Sequence, residues 1–441
     1  MAVAETLTLK TRTFVRSGLS PGAVALSLAI PFLFLHIKYQ PGVRVPLAST
    51  HLGLEASDAA IVLVALVAAR EGLRSGFAPL RPALPLWLAS AGLLFWIFVR
   101  SQSLTHAVTA AKFSEYALLA ISLPLVLRRR EDWELVAAVV VAWSVAATTV
   151  GLLQIFGVHI AGAWAAGRRQ PSFLGHPDFA ALSALSLAIG LAAVLLARRR
   201  VGWVGVGTGT VGLMLAGATA GLIGTAAGAV GLLYAISRRR RIVVRDVVVS
   251  GVVVAVVGAG VLILRAGDFE HFLRFVHLKG REAQTSNIQT YSHHTLLAYI
   301  GYRIWRDHLV AGAGWQASNE PETVDPQLPA AHRKFPNVAP LAFPTREHEW
   351  GVQNAYVQAA ADLGLIGLLL WLAPFALALL LALRANAPPG AVATFTILAA
   401  MGIWVGEGIV AGIPLDAVTW LGLGLAATAV AQRSQASAQG K

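Results

Sequence analysis

The chain has no cysteine among its 441 residues and is poor in charge. Without thiols it forms no disulfide, and any exported loop escapes stray thiol chemistry. Charged side chains make up 13%, about half of the roughly 25% usual in soluble domains. That deficit excludes an ordinary soluble protein of two or three domains. His-x-His and His-Glu-x-x-His spacings are missing despite 12 histidines, so neither metal nor cofactor is expected. No repeat of solenoid period is present. The polar N-terminus "LKTRTFVR" leads into a long apolar stretch with no Ala-x-Ala cleavage site at its end, so the first apolar helix is expected to stay.

What is present is apolar length. Hydrophobic residues are 56% of the chain and the mean hydropathy is +0.66. About 20 apolar residues cross a bilayer as one helix. Twelve spans are predicted, near 18–36, 48–69, 82–98, 105–127, 132–156, 177–196, 200–217, 219–236, 246–265, 354–382, 390–411 and 415–431. The chain therefore reads as an all-α polytopic membrane protein with about 12 transmembrane helices. Its parts are an N-terminal set of spans (1–265), one long loop (266–353) and a C-terminal set (354–441).

Basic residues set the orientation. Arg70, Arg74 and Arg81 follow span two, and "RRR" at 128–130, "RRR" at 198–200 and "RRRR" at 238–241 follow spans four, six and eight. If spans alternate, these loops share one side, which the positive-inside rule makes cytoplasmic. Both termini are then inside. The same loops explain the net charge of +13 without a nucleic-acid partner; membrane lipids are the expected surroundings.

Two outer loops stand apart, 157–176 and 266–353, since connections beyond about 15 residues are usually functional or disordered. In 291–308, Leu296, Leu297, Ile300 and Ile304 recur at helical spacing, which predicts an amphipathic helix on or near the outer face. The Pro-rich stretch 319–344 is expected to be irregular and to cover a site.

Few side chains can carry chemistry in such a chain. Lys112 and Glu115 lie three apart in span four, either as an ion pair or with Lys112 facing an anionic substrate. Arg168 and Arg169 suit phosphate, whether of a lipid headgroup or of a substrate. Asp178, just before an apolar helix, is expected to cap span six. Glu407 sits in a cavity or near the interface. His348 stands between Glu347 and Glu349, which favour its protonated form. It reads either as a solvated loop histidine or as a general base. Gln353 and Asn354, at a helix mouth, can orient a substrate oxygen because amides both donate and accept. Gly364 and Gly367 read as packing residues that let helices approach closely.

Several motifs occur in a telling order: "SFLGHPDFAALSAL" opening a middle span, a very long outer loop, then "RIWRDHLVAGAGW". After them come "QN" with nine residues and "GLIG", then "PLDAVTWLGLGLA" in the last span. Over roughly 140–430 the chain resembles the O-antigen ligase and polymerase family, bacterial membrane glycosyltransferases. The resemblance implies a GT-C-like bundle with one long external loop. It also implies transfer, on the periplasmic face, of a glycan from undecaprenyl diphosphate to a lipid or glycan acceptor.

The chain departs from the family pattern at three places. The usual catalytic histidine falls on Gln353, which takes no proton at neutral pH. One usual arginine falls near Ala220, and another about where His293 and His294 lie. Arg168, Arg169, Arg281 and Arg303, with Lys112, His293 and His294, are then expected to bind substrate. His348 replaces the base beside Gln353 and Asn354. An O-antigen ligase-like transferase, a polymerase and a protein O-oligosaccharyltransferase all fit this reading. A transporter or scaffold that kept the bundle and lost the chemistry is the alternative of another class.

Overall fold

The computed structural model describes residues 19–48, 50–158, 169–280, 288–385, 387–410 and 413–439. A helix forms within or close to each of the twelve apolar stretches. The first nine are α1 (Pro21–Leu33), α2 (Ala56–Ser75), α3 (Leu84–Val99), α4 (Leu104–Val126), α5 (Arg130–Ile155), α6 (His176–Leu195), α7 (Gly202–Ala216), α8 (Thr219–Ser237) and α9 (Val244–Leu264). The long connection then carries α10 (Ala266–Phe275) and α11 (Thr290–Asp307). The chain ends with α12 (Ala355–Ala385), α13 (Pro388–Ile403) and α14 (Ile413–Gln439).

Among the described residues, seven helical stretches are long and apolar enough to cross a membrane: Ala78–Val99, Arg130–Ile155, His176–Leu195, Thr219–Ser237, Val244–Leu264, Ala355–Ala385 and Leu415–Gln435. Three shorter helices, α1, α7 and α13, are also apolar. The protein is an all-α, multi-pass membrane protein. Two features depart from the predicted spans. The eleventh, expected over 390–411, is helical only over Pro388–Ile403 and leaves Glu407 beyond its end. Where the second span was expected to begin, near 48, an antiparallel hairpin forms from β1 (Gly42–Leu47) and β2 (Thr50–Glu55), and the helix starts only at Ala56.

Local chemistry starts the helices. The Ser20 hydroxyl accepts from Ala23 N at 3.1 Å at the head of α1, and the Ser103 hydroxyl does the same for His106 N in α4. At α2, α5 and α9 an aspartate in the first turn accepts from the residue before the helix: Asp58 from Glu55 N, Asp132 from Arg129 N, Asp246 from Val243 N. Asp58 also meets Lys112 of α4, whose ammonium lies 3.7 Å from Glu115. The ion pair suggested by sequence spacing is thus a three-residue group that ties α2 to α4.

Helix α6 is buried along nearly its whole length and packs against α5, α7, α13 and α14. Small residues permit this. A Cβ on Gly209 would collide with Ser183 O, and one on Gly205 with Ser186 O. A lipid-embedded bundle gains little from hydrophobic burial, so close backbone packing matters more.

The long connection folds onto α12. Leu296, Ile300 and Ile304 of α11 are buried with Val324, Ala331, Phe343 and Ala361 in a second small core. The amphipathic face expected at the membrane surface is therefore covered by protein, much of it the Pro-rich stretch.

Helix α12 explains the glycines at 312 and 364. Asn354 caps its start, accepting from Tyr356 N and Val357 N at 3.1 Å each. After nine intervening residues Gly364 adopts φ 69°, ψ −168°, which breaks the helix. That backbone region is essentially reserved to glycine. Into the break runs 309–314. Ala313 N donates to Ala361 O (2.8 Å) and Gly314 N to Asp362 O (2.9 Å), while Leu365 N donates to Leu309 O (2.9 Å). Trp96 of α3 donates its indole N–H to Leu363 O at 3.0 Å. Backbone groups freed by a kink must find partners where water is scarce, and here each of these does. Gly364 is a packing glycine as expected, although what approaches it is a turn segment rather than a helix.

Candidate functional site

At one end of the bundle the starts of α6, α8 and α12 meet the ends of α7, α9 and α13. The end of α7 is shaped by Gly217, which takes φ 57° as its left-handed C-cap. The aliphatic stem of Arg169 lies against that glycine, where a Cβ would collide with it. The Gly217 carbonyl accepts from the Arg265 guanidinium at 3.4 Å.

Arg265, just past α9, is only 5% exposed. Its Nε donates to Asp268 at 2.8 Å, and its guanidinium stacks 4.8 Å from the centre of the Tyr291 ring. The Tyr291 hydroxyl hydrogen-bonds that of Thr219 at the start of α8. Held on several sides, this guanidinium has a fixed position. Burial holds the Arg169 pKa below its usual value, and the neighbouring positive charge of Arg265 adds to this. The two guanidiniums repel one another, and the carboxylates of Asp268 and Glu407 offset part of that repulsion.

Imidazoles and a second carboxylate line the same place. His176, the first residue of α6, donates to the backbone of Ala216 and feels both Arg169 and Arg265. His294 on α11 has its pKa lowered to about 4, chiefly by burial, with His293, Arg265 and Arg169 contributing; a hydrogen bond with the Gln353 side chain pulls the other way. It is therefore neutral at pH 7. His293 is buried and lies edge-on to Trp350, with ring centres 5.1 Å apart. Glu407 lies four residues past the end of α13. Burial pushes its carboxyl up to about 7, opposed by the charge of Arg169. The Glu407 segment is strapped to the head of α12. Asn354 donates to Val405 O (2.9 Å), Ala355 N to Trp404 O (3.0 Å), and Ile409 N to the Gln358 side chain (2.7 Å).

The structure thus brings Arg169, His293, His294, Gln353 and Asn354 into one neighbourhood. His348 is exposed on its rim, in a turn where its backbone N–H donates to Thr345 O at 3.1 Å and its ring stacks on Trp350. Arg303 is turned to Gln327, to which its Nε donates at 3.0 Å, and Lys112 is held by Asp58 and Glu115. Arg168 and Arg281 lie outside the described residues. Asp178 does not cap its own helix. Its carboxylate accepts from Leu415 N at 3.3 Å, which ties α6 to α14.

Arg265 and Tyr291 were missed from sequence. The available signal for Arg265 was an arginine ending a very apolar run with aspartate three residues on.

Fold and site define a multi-pass helical membrane protein with a cationic, histidine-lined cluster at one end of the bundle. Residues 204–372 match the family model described as O-antigen ligase, which supports the O-antigen ligase family for this chain. The matched region runs from α7 to the middle of α12. It contains Arg265, His294 and Gln353, while Arg169 and Glu407 flank it. The match supports, in general terms, a membrane glycosyltransferase of the ligase and polymerase type. The chain matches no curated protein.

Proposed function

We propose that the protein transfers a glycan from undecaprenyl diphosphate to an acceptor hydroxyl on the external face of the bacterial inner membrane. Its setting would be a GT-C-like bundle of twelve spans with both termini cytoplasmic. The observation that carries this is the pair Arg169 and Arg265, assembled from distant segments at the end of the bundle away from the arginine-rich loops. An anion with two phosphates fits between such groups, and Arg binds phosphate bidentately.

In the proposed reaction the acceptor oxygen attacks the anomeric carbon as the bond from that carbon to the diphosphate breaks. Arg169 and Arg265 stabilise the charge that develops on the leaving diphosphate, with Arg168, Arg281 and Arg303 further candidates for its basic surroundings. His294, neutral and beside Gln353, contributes a hydrogen bond rather than a charge. Gln353 orients a substrate oxygen, and Asn354, whose amide caps α12 and holds Val405 O, positions Gln353. The acceptor proton passes to Glu407, which is poised near neutrality and faces Arg169; His348 on the rim is the second candidate acceptor.

The test works whatever the sugar is. Deleting the gene in its host should make the undecaprenyl-diphosphate-linked glycan accumulate, measured by mass spectrometry of lipid extracts. The wild-type gene should clear it and Arg265→Ala should not. Unchanged lipid-linked glycan after deletion would favour the transporter or scaffold reading. Chemical analysis of the lost product then separates a lipid, glycan or protein acceptor.

A further inference from the structure

A large cavity lies far from this cluster, at the arginine-rich end. It measures 880 Å³, at the upper end of the roughly 300–1,000 Å³ typical of ligand sites. Ala138, Val141, Ala142 and Val145 of α5 form one wall. Their spacing puts them on a single face of the helix. The last turns of α6 and the first turn of α7 form the other wall, and the start of α13 closes one side.

Small residues on membrane helices usually bring neighbours together. Here Ala138 and Ala142 are exposed, and they face a furrow instead of a neighbour. From Arg130 to Val145 the wall runs about 22 Å at 1.5 Å per residue. One leaflet of hydrocarbon is about 15 Å thick, half of roughly 30 Å. The furrow therefore has the reach of one acyl chain and its headgroup.

Its mouth is charged. Arg130 and Arg199 both pair with the same oxygen of Glu134, at 2.7 and 3.0 Å. Two cations share one carboxylate, and both remain substantially exposed, so the mouth keeps a net positive charge. A donor whose diphosphate sits between Arg169 and Arg265 cannot also place it here, because α5 and α6 run the length of the bundle between the two places.

We propose that this furrow holds one anionic glycerophospholipid, one of its two acyl chains along α5 and its phosphate on Arg130 and Arg199. The positive-inside rule makes the leaflet the cytoplasmic one. Phosphate oxygens compete with Glu134 for the two guanidiniums, and a zwitterionic headgroup, whose own cation opposes theirs, does so less well.

Native mass spectrometry of the full-length protein tests this, with phosphatidylglycerol and phosphatidylcholine of identical acyl chains as probes. One phosphatidylglycerol should bind at least tenfold tighter than phosphatidylcholine. The double variant Arg130→Ala/Arg199→Ala should erase that preference while a lipid still binds. Ala138→Trp, which fills the furrow, should remove the bound lipid. Equal binding of both lipids by wild type would overturn the proposal, as would displacement of phosphatidylglycerol by undecaprenyl phosphate. The headgroup comparison stands even if the Trp variant does not fold, and none of these outcomes depends on glycan transfer.

Discussion

Arg265 meets Asp268, Tyr291 and the Gly217 carbonyl, and its guanidinium is positioned before any ligand arrives. Charge-assisted hydrogen bonds contribute roughly 1.5–3 kcal/mol each. Arg265→Ala should therefore weaken binding of undecaprenyl diphosphate by about 10- to 150-fold, measured on purified protein. Arg265→Lys keeps the charge but loses the fork and the stacking, and should recover only part of that affinity. Glu407 gives a second prediction. Its pKa is raised to about 7, so the proton-accepting form is scarce in acid and gains population as pH rises through 7. The transfer rate should climb through that range. Glu407→Gln should abolish the climb and lower the rate by about 10²–10⁴, the usual worth of a general base. If His348→Ala lowers the rate that far instead, the acceptor is His348.

At the scale of the element, α12 is two helices joined at a glycine. Any side chain at 364 meets Val310 O and a backbone conformation costing about 1–3 kcal/mol outside glycine. Gly364→Ala should lower thermal stability in detergent by at least that amount, and should loosen the 309–315 strap to proteolysis. Asn354→Ala removes a cap with two backbone partners and should cost about 1 kcal/mol. It also frees Val405 O, so the Glu407 segment should move as well. A loss of transfer larger than the loss of folded protein would show that this strap positions Glu407.

For the whole molecule, the arginine-rich loops lie at one end and the Arg169–Arg265 cluster at the other. Reporter fusions at Arg129 and Arg239 should read cytoplasmic, and fusions at Gln170 and Pro329 external. A cytoplasmic signal from Pro329 would put the cluster on the wrong face for a lipid-linked donor. The topology and the chemistry therefore stand or fall together in this measurement.

The sequence by itself determined the helices, because each is a local matter of apolar length and of capping residues such as Ser20, Ser103 and Asn354. The nine-residue spacing between Asn354 and Gly364 was legible as a motif, but only the structure shows it to be the length of helix between a cap and a break. Three further things were decided only by tertiary structure. Gly312 makes room against α12, a segment some fifty residues later, and Gly314 against the Gln102 side chain. Asp178 serves α14 rather than its own helix, because packing brings the unpaired Leu415 N–H within reach. The site itself joins Arg169, Gly217, Arg265, His294, Gln353 and Glu407 from six stretches of chain. No local pattern encodes that meeting: burial shifts His294 and Glu407 away from ordinary behaviour, and burial exists only once the bundle has closed around them.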